Sequence, residues 1–240
     1  MLTAKTEYGK FSYFDNDSIG QTIADGQFFD VHFKPYIDDL ERGDVMVDVG
    51  ANIGFFSVYT ALRDVFVNAF EASSEVFQVL KKNIVENNVE EKVRAVNVAL
   101  YDKPMHLGIN PKWTDWIAKE GGEIDYSKMG NSGGLSLVPD ENGKWFSRTL
   151  DSFLFEKVDL IKVGTQGSDL RVLRGAKTTI GLFRPVICFE FEHDGSGVNA
   201  SGDSLNDFQA FFFDWGYDMM CVGGNGMNWL DYVAIPKENV

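Results

Sequence analysis

The sequence predicts an α/β domain: a mostly parallel sheet with helices on both faces and an antiparallel hairpin at its C-terminal end. Three observations carry this expectation. A short apolar run, Val45-Met46-Val47-Asp48-Val49, passes into a glycine turn, Gly50-Ala51-Asn52-Ile53-Gly54, and then into a helical pattern. Such a near-continuous run is what a strand covered on both faces requires. Strand-like and helix-like stretches then alternate through much of the chain, the signature of βαβ units. Finally, two apolar runs, 217–222 and 228–235, are joined through Gly223-Gly224-Asn225-Gly226, which is a hairpin signal.

A chain of 240 residues suits a single domain with a sizeable core. Its formal net charge of −14 argues against a nucleic-acid backbone or an anionic membrane as the main partner, because both need a basic surface. The two cysteines, Cys188 and Cys221, lie in apolar, strand-like runs, which predicts buried, reduced thiols and a cytoplasmic setting. The chain start lacks a basic head with a long apolar core, and no later run reaches transmembrane length, so a soluble protein is expected.

Residues 1–42 read as an N-terminal cap. The alternating aromatic stretch 8–14 predicts a hairpin strand, and 28–40 predicts a helix packing its Phe and Ile residues on the core. Asp30 reads as a solvated acid, with the cofactor as an alternative partner. Phe55, Val58, Tyr59 and Leu62 recur at helical spacing and are expected to bury one face. Strand 65–70 follows. Ser73 or Ser74 then caps a helix in which Phe77, Leu80 and Ile84 share a face, ending at Asn87-Asn88.

A third strand spans 93–100. Residues 101–150 break the alternation and read as a substrate-side insertion or lid. Its Trp113, Trp116 and Trp145 suit either stacking on an acceptor or packing on the sheet. Asn131, Ser132 and Ser136, from its small-residue loop, are substrate-side candidates. Strand 158–163, a helix over 168–180, strand 185–192 and a Phe-rich helix over 205–215 lead to the final hairpin.

The glycine turn reads as a nucleotide-type cradle, in which Gly50 and Gly54 permit a sharp turn and the following helix presents N–H groups. Its spacing, D-x-G-x-x-x-G, departs from the dinucleotide fingerprint G-x-G-x-x-G, and Asp48 would repel a pyrophosphate. S-adenosylmethionine has no phosphate and carries cationic amino and sulfonium groups, so it suits this loop better. Glu71 ends the next strand about 20 residues beyond Gly50, where an acid accepts hydrogen bonds from ribose hydroxyls. Ala51, Asn52, Ala72, Asn97 and Ala99 complete the candidate cofactor set, the last two flanking an adenine.

Lys162 is the odd residue of its strand, since an unpaired lysine inside a parallel sheet costs several kcal/mol. With a period of two, Val186, Cys188, Glu190 and Glu192 share one face of the next strand. Glu190 or Glu192 is therefore the expected partner of Lys162, as an ion pair or as a catalytic dyad. His193 follows at the carboxyl end of that strand, where ligands bind in open α/β sheets. His32 and His106 lack company, and the three histidines are too scattered for a metal-ligand cluster.

These pieces resemble one family. The blocks are Asp48-Val49-Gly50-Ala51-Asn52-Ile53-Gly54, Ala69-Phe70-Glu71, Asn97-Val98-Ala99-Leu100 and Thr149-Leu150-Asp151. They continue with Val158-Asp159-Leu160-Ile161-Lys162-Val163-Gly164-Thr165-Gln166-Gly167, Leu173-Arg174-Gly175-Ala176, Arg184-Pro185-Val186 and Glu190. Together, from about residue 30 to 236, the chain resembles the FkbM-like S-adenosylmethionine-dependent methyltransferases. The resemblance implies a Rossmann-like class I fold with a seven-stranded sheet. It also implies methyl transfer to a hydroxyl of a sugar, lipid or other small molecule, a glycan included. The family usually reads I-K-I-D-V-E-G in the fourth-strand block, where an acid positions the acceptor or takes its proton. Here Gly164 and Gln166 stand at the acidic positions, which leaves Glu190, Glu192 and His193 as candidate bases. A methyltransferase-like binding or structural protein is the runner-up reading. A nicotinamide-dependent dehydrogenase fits Glu71 but not Asp48 or the missing third glycine.

Overall fold

A computed structural model describes residues 1–110, 130–131, 133–193, 197, 199–224 and 228–239. The chain opens as an antiparallel hairpin, β1 (Leu2–Thr6) and β2 (Gly9–Tyr13), the second strand lying within the predicted 8–14 stretch. Helix α1 (Ser18–Ala24) follows, capped by Asp17, whose carboxylate accepts the Gly20 N–H at 3.0 Å. The sequence reading contains no such helix. The helix expected over 28–40 is instead a short 3-10 turn, Val31–Phe33, and α2 (Lys34–Asp38). Asp30 adopts a left-handed conformation, φ 46°, which keeps the helix from beginning any earlier.

The central unit is β3 (Val45–Val49), α3 (Phe55–Ala61), β4 (Phe66–Glu71), α4 (Ser74–Glu86) and β5 (Val93–Asn97). Ser73 caps α4 by accepting the Val76 N–H at 3.3 Å, and the helix ends at Asn87 as expected. Leu62 corrects the predicted face of α3: it lies just past the helix end and is exposed, while Phe55 and Val58 are buried. The 101–150 segment contributes β6 (His106–Ile109), β7 (Leu137–Pro139) and β8 (Trp145–Phe146), a separate antiparallel sheet of order β7-β6-β8.

Next come β9 (Leu160–Val163), α5 (Asp169–Arg174), α6 (Lys177–Phe183), β10 (Val186–Glu192), α7 (Leu205–Asp214), β11 (Tyr217–Gly224) and β12 (Trp229–Pro236). The predicted helix 168–180 is thus two helices broken at Gly175. The backbone there passes so close to Tyr101 that a Cβ on Gly175 would lie 2.2 Å from the Tyr101 carbonyl oxygen.

Seven strands form the main sheet in the order β11-β12-β10-β9-β3-β4-β5. Strand β12 runs antiparallel to both neighbours, and the pairs β10–β9, β9–β3, β3–β4 and β4–β5 are parallel. This is the Rossmann-like architecture. Successive strands leave β3 in one direction through β4 and β5, then in the other through β9 and β10. The crevice at the carboxyl ends of β3 and β9 is therefore the switch point where ligands bind in open α/β sheets.

Alternation along β3 feeds two cores. Met46 joins Phe11, Phe33, Ile37, Phe55 and Leu80 on one face, while Val47 and Val49 join Phe189, Phe208 and Phe212 on the other. Phe189 stacks on Phe208 at 5.1 Å and on Tyr232 at 5.5 Å, which fixes α7 against β10 and β12. Cys188 and Cys221 are both free thiols. Cys188 is buried as predicted, but Cys221 is exposed on the edge strand β11. No helix among the described residues is long and apolar enough to cross a membrane.

Candidate active site

A cavity of about 290 Å³ opens at the carboxyl ends of β3, β4, β9 and β10. At one end, the chain leaving β3 turns sharply through Gly50, φ 74°, against the chain leaving β9. A Cβ on Gly50 would lie 2.0 Å from the Gly164 carbonyl oxygen, so glycine is required for both reasons. The N–H groups of this turn are engaged inside the protein. Those of Gly50 and Ala51 donate to Phe70 O at 2.9 and 3.0 Å, that of Gly54 to Ala51 O at 2.9 Å, and that of Asn52 to Glu71 Oε2 at 3.0 Å. Ser73 N–H donates to the other Glu71 oxygen at 2.7 Å, so the carboxylate is locked where β4 meets the cavity. Burial nevertheless raises the Glu71 pKa to about 7. Ala72, Val98, Ala99, Leu100 and Leu107 form an apolar wall beside it.

The opposite end is charged. Lys162, Glu190 and Glu192 line it with Gly164, Gln166 and Trp229. Lys162 lies between Asp48 on β3 and Cys188 on β10 in the strand register. No carboxylate of the described residues is in ion-pair contact with it, which corrects the expected direct pair with Glu190 or Glu192. Burial works against its charge, and the field of Asp48, Glu190, Asp30 and Asp169 outweighs burial and raises its pKa. Its ammonium lies 5.3 Å from the centroid of the Phe56 ring. Gly164 makes room for that ammonium, since a Cβ there would lie 2.5 Å from Lys162 Nζ and 3.3 Å from Glu190 Oε1. Burial and the neighbouring Asp30 carboxyl raise the Glu190 pKa well above the carboxylate range. Burial likewise brings Asp30 and Glu192 to about 7.

Of the residues singled out in the sequence, Gly50, Ala51, Asn52, Glu71, Ala72, Ala99, Asn131, Lys162, Gly164, Gln166, Glu190 and Glu192 line this one cavity. Others do not. Asp48 is fully buried beneath the turn and accepts the Ser57 hydroxyl at 2.6 Å, so it faces Lys162 rather than the cavity. Gly54 packs against Leu80. Asn97 braces the wall from behind, its Nδ2 donating to Glu71 O at 2.8 Å and Ala72 O at 3.1 Å. Ser136 is buried outside the lining, its backbone carbonyl accepting the Asn110 N–H at 3.0 Å. His193 shares the Phe191 face of the chain leaving β10, with ring centroids 5.5 Å apart, and is not among the lining residues. Alternation along β10 turns it away from Glu190 and Glu192. Trp145 packs, its indole N–H donating to Ala72 O at 3.0 Å. Ser132, Trp113 and Trp116 lie outside the described residues.

The expectation for one acid is corrected, and two further acids, Asp169 and Asp231, carry no sequence expectation. Asp30 is buried beside Glu190 rather than solvated. Asp169, fully buried, accepts the N–H and hydroxyl of Thr165 at 2.8 and 2.9 Å. Asp231, on β12, bonds His32 Nδ1 at 2.7 Å, so His32 does have company. An acid inside the apolar run Trp229-Leu230-Asp231-Tyr232-Val233 is the same signal that singled out Lys162.

Residues 48–219 match the family described as the Methyltransferase FkbM domain. The chain belongs to the FkbM family of methyltransferases. It is similar to Methyltransferase sdnD of Sordaria araneosa, at 24% identity over 85% of this chain and 87% of that protein. It is also similar to the AMB antimetabolite synthetase AmbE of Pseudomonas aeruginosa, at 23% identity over 74% of this chain but 10% of that protein. The solved structure of Methyltransferase FkbM from Methylobacillus flagellatus KT shares the fold with a TM-score of 0.55 at 14% identity. That likeness covers 81% of this chain and 44% of the other, so the chain spans less than half its length.

Proposed function

We propose that this protein is an S-adenosylmethionine-dependent O-methyltransferase acting on a hydroxyl of a sugar, lipid or other small molecule. The observation that carries the reading is one continuous cavity with two unlike ends: a turn with a locked carboxylate at one, and buried ionisable groups at the other. The first end fits S-adenosylmethionine. Four N–H groups of the turn are already engaged, which leaves fewer donors for a pyrophosphate and disfavours a dinucleotide. Glu71 would accept the ribose hydroxyls, and the Val98–Leu100 wall with Leu107 would cover the adenine.

When bound, the cofactor supplies an electrophilic methyl group. Everything else is asked of the chain. An attacking hydroxyl must be aligned and lose its proton; alignment is worth roughly 7–11 kcal/mol in favourable cases, and a general base about 10²- to 10⁴-fold. Glu190 is the proton acceptor in this account. It lines the cavity, burial and the Asp30 carboxyl raise its proton affinity, and the Lys162 field opposes that rise. Glu190 thus takes the part left open by Gly164 and Gln166. Those same two residues support the second reading, a family member that binds cofactor without turnover.

The test is formation of S-adenosylhomocysteine from S-adenosylmethionine with a panel of hydroxyl compounds. We expect Glu190→Gln to lower turnover about 10²-fold or more, with cofactor binding unchanged. Unchanged turnover in that variant would remove Glu190 as the base, and binding without any turnover would favour the second reading.

A further inference from the structure

The acceptor end of the cavity has too little positive charge for its acids. Among the described lining residues Lys162 is the one cation, and its field is shared among Asp48, its neighbour in the β3–β9 register, Glu190, Asp30 and Asp169. Glu192 is not among those acids. Glu190 is only 8% exposed, and the group facing it at hydrogen-bond range is a second carboxyl, that of Asp30, itself 9% exposed. Asp30 Oδ2 and Glu192 Oε2 are both buried with no hydrogen-bond partner. A buried acid left unmatched costs stability or holds its proton until a cation completes it.

Glu192 also has a specific neighbour. It stands directly opposite Trp229 in the antiparallel β10–β12 register, and both line the cavity. Opposed residues of such a pair put their side chains on the same face, within reach of one group between them. A carboxylate and an indole on one wall form a recognised arrangement for an ammonium group, by charge and by cation–π attraction. No arginine is among the described lining residues, and the one lysine there is surrounded by acids, which disfavours a phosphorylated or carboxylated acceptor.

We propose that the methyl acceptor is an amino alcohol or amino sugar whose protonated amine is held between Glu192 and Trp229. Glu190 lies beyond, on the cavity wall that its hydroxyl faces, with Asp30 buried behind it outside the lining. This rests on the methyltransferase reading and names its substrate class. The cofactor carries an ammonium of its own, so the experiment separates the two sources.

Protein saturated with S-adenosylhomocysteine is titrated calorimetrically with ethanolamine and glucosamine, and with ethylene glycol, glucose and glucose 6-phosphate. Each titration is run in two buffers of different ionisation enthalpy. We expect the amines to bind about tenfold or more tightly than their neutral counterparts and glucose 6-phosphate to bind weakest. Proton release should accompany amine binding, because a cation beside Glu192 draws its carboxyl back to the ionised form. Glu192→Gln and Trp229→Leu should each weaken the amines without changing affinity for S-adenosylhomocysteine. Equal affinity for neutral sugars, preference for the phosphate, or no binding of any amine by the saturated complex overturns the proposal. Failure of S-adenosylhomocysteine itself to bind removes the methyltransferase reading, and this inference with it. A Glu192→Gln effect confined to S-adenosylhomocysteine assigns the acids to the cofactor and likewise overturns it.

Discussion

The two ends of the cavity solve opposite problems. At the Gly50–Glu71 end the polar groups are satisfied before any ligand arrives: both Glu71 oxygens accept backbone N–H groups, and four N–H groups of the turn have partners. At the Lys162–Glu192 end buried oxygens of Asp30 and Glu192 lack partners; burial raises the pKa of Glu71 at the first end and of Asp30, Glu190 and Glu192 at this one. The first end is pre-organised, which would limit the cost of holding the proposed cofactor. The second carries stored electrostatic cost, the usual mark of a site tuned for chemistry or for a charged partner.

The sharpest way to break the contrast is at Gly50. An alanine there meets the Gly164 carbonyl at 2.0 Å while its own φ stays at 74°, so the two loops must part. Gly50→Ala is expected to cost about 3 kcal/mol or more in denaturant unfolding and to abolish S-adenosylhomocysteine binding. A variant of native stability and affinity would show that the first end is not pre-organised.

A smaller effect is read by pH, with acids of both ends contributing. In the unfolded chain carboxyls titrate near pH 4, whereas in the folded protein Asp30, Glu71 and Glu192 titrate near 7 and Glu190 well above its usual range. Between those values the folded state holds more protons, so stability falls as pH rises from about 4 to about 7. Glu190→Gln, which cannot ionise, should flatten that decline and melt higher than wild type at pH 8, by about 2–4 °C for each kcal/mol relieved. A wild-type profile that is flat or rises over this window would contradict the assignment.

The same contrast explains what was legible in the sequence. The Gly50 turn and Glu71 belong to one βαβ unit, where local spacing fixes geometry, so the turn, strand β4 and the Glu71 position could be read directly. Asp48 is the exception. Its adjacency to Gly50 pointed to the ligand, but alternation along β3 directs the side chain beneath the turn, toward Ser57 and Lys162. The other end is assembled from strands far apart in the chain. The faces of β10 were readable from a period of two, which placed Glu190 and Glu192 beside Lys162 and should also have turned His193 away. Asp30, Asp231 and the opposition of Glu192 to Trp229 depend on the left-handed Asp30 backbone and on the β10–β12 register. The acid within an apolar run marks Asp231 as unusual, but no local pattern gives the register or the Asp30 backbone. The split of the 168–180 helix at Gly175 has the same origin, a close approach to Tyr101 from another part of the chain.

The central claim is that Glu71 holds a ribose-bearing cofactor without phosphate at the switch point of the sheet. Calorimetric titration of wild type and Glu71→Ala with S-adenosylhomocysteine, and separately with NADH, tests it most directly. The account predicts saturable binding of S-adenosylhomocysteine, weakened about 10- to 100-fold in the folded variant, and no binding of NADH. Binding of NADH in preference, or affinity for S-adenosylhomocysteine unchanged by Glu71→Ala, would contradict it.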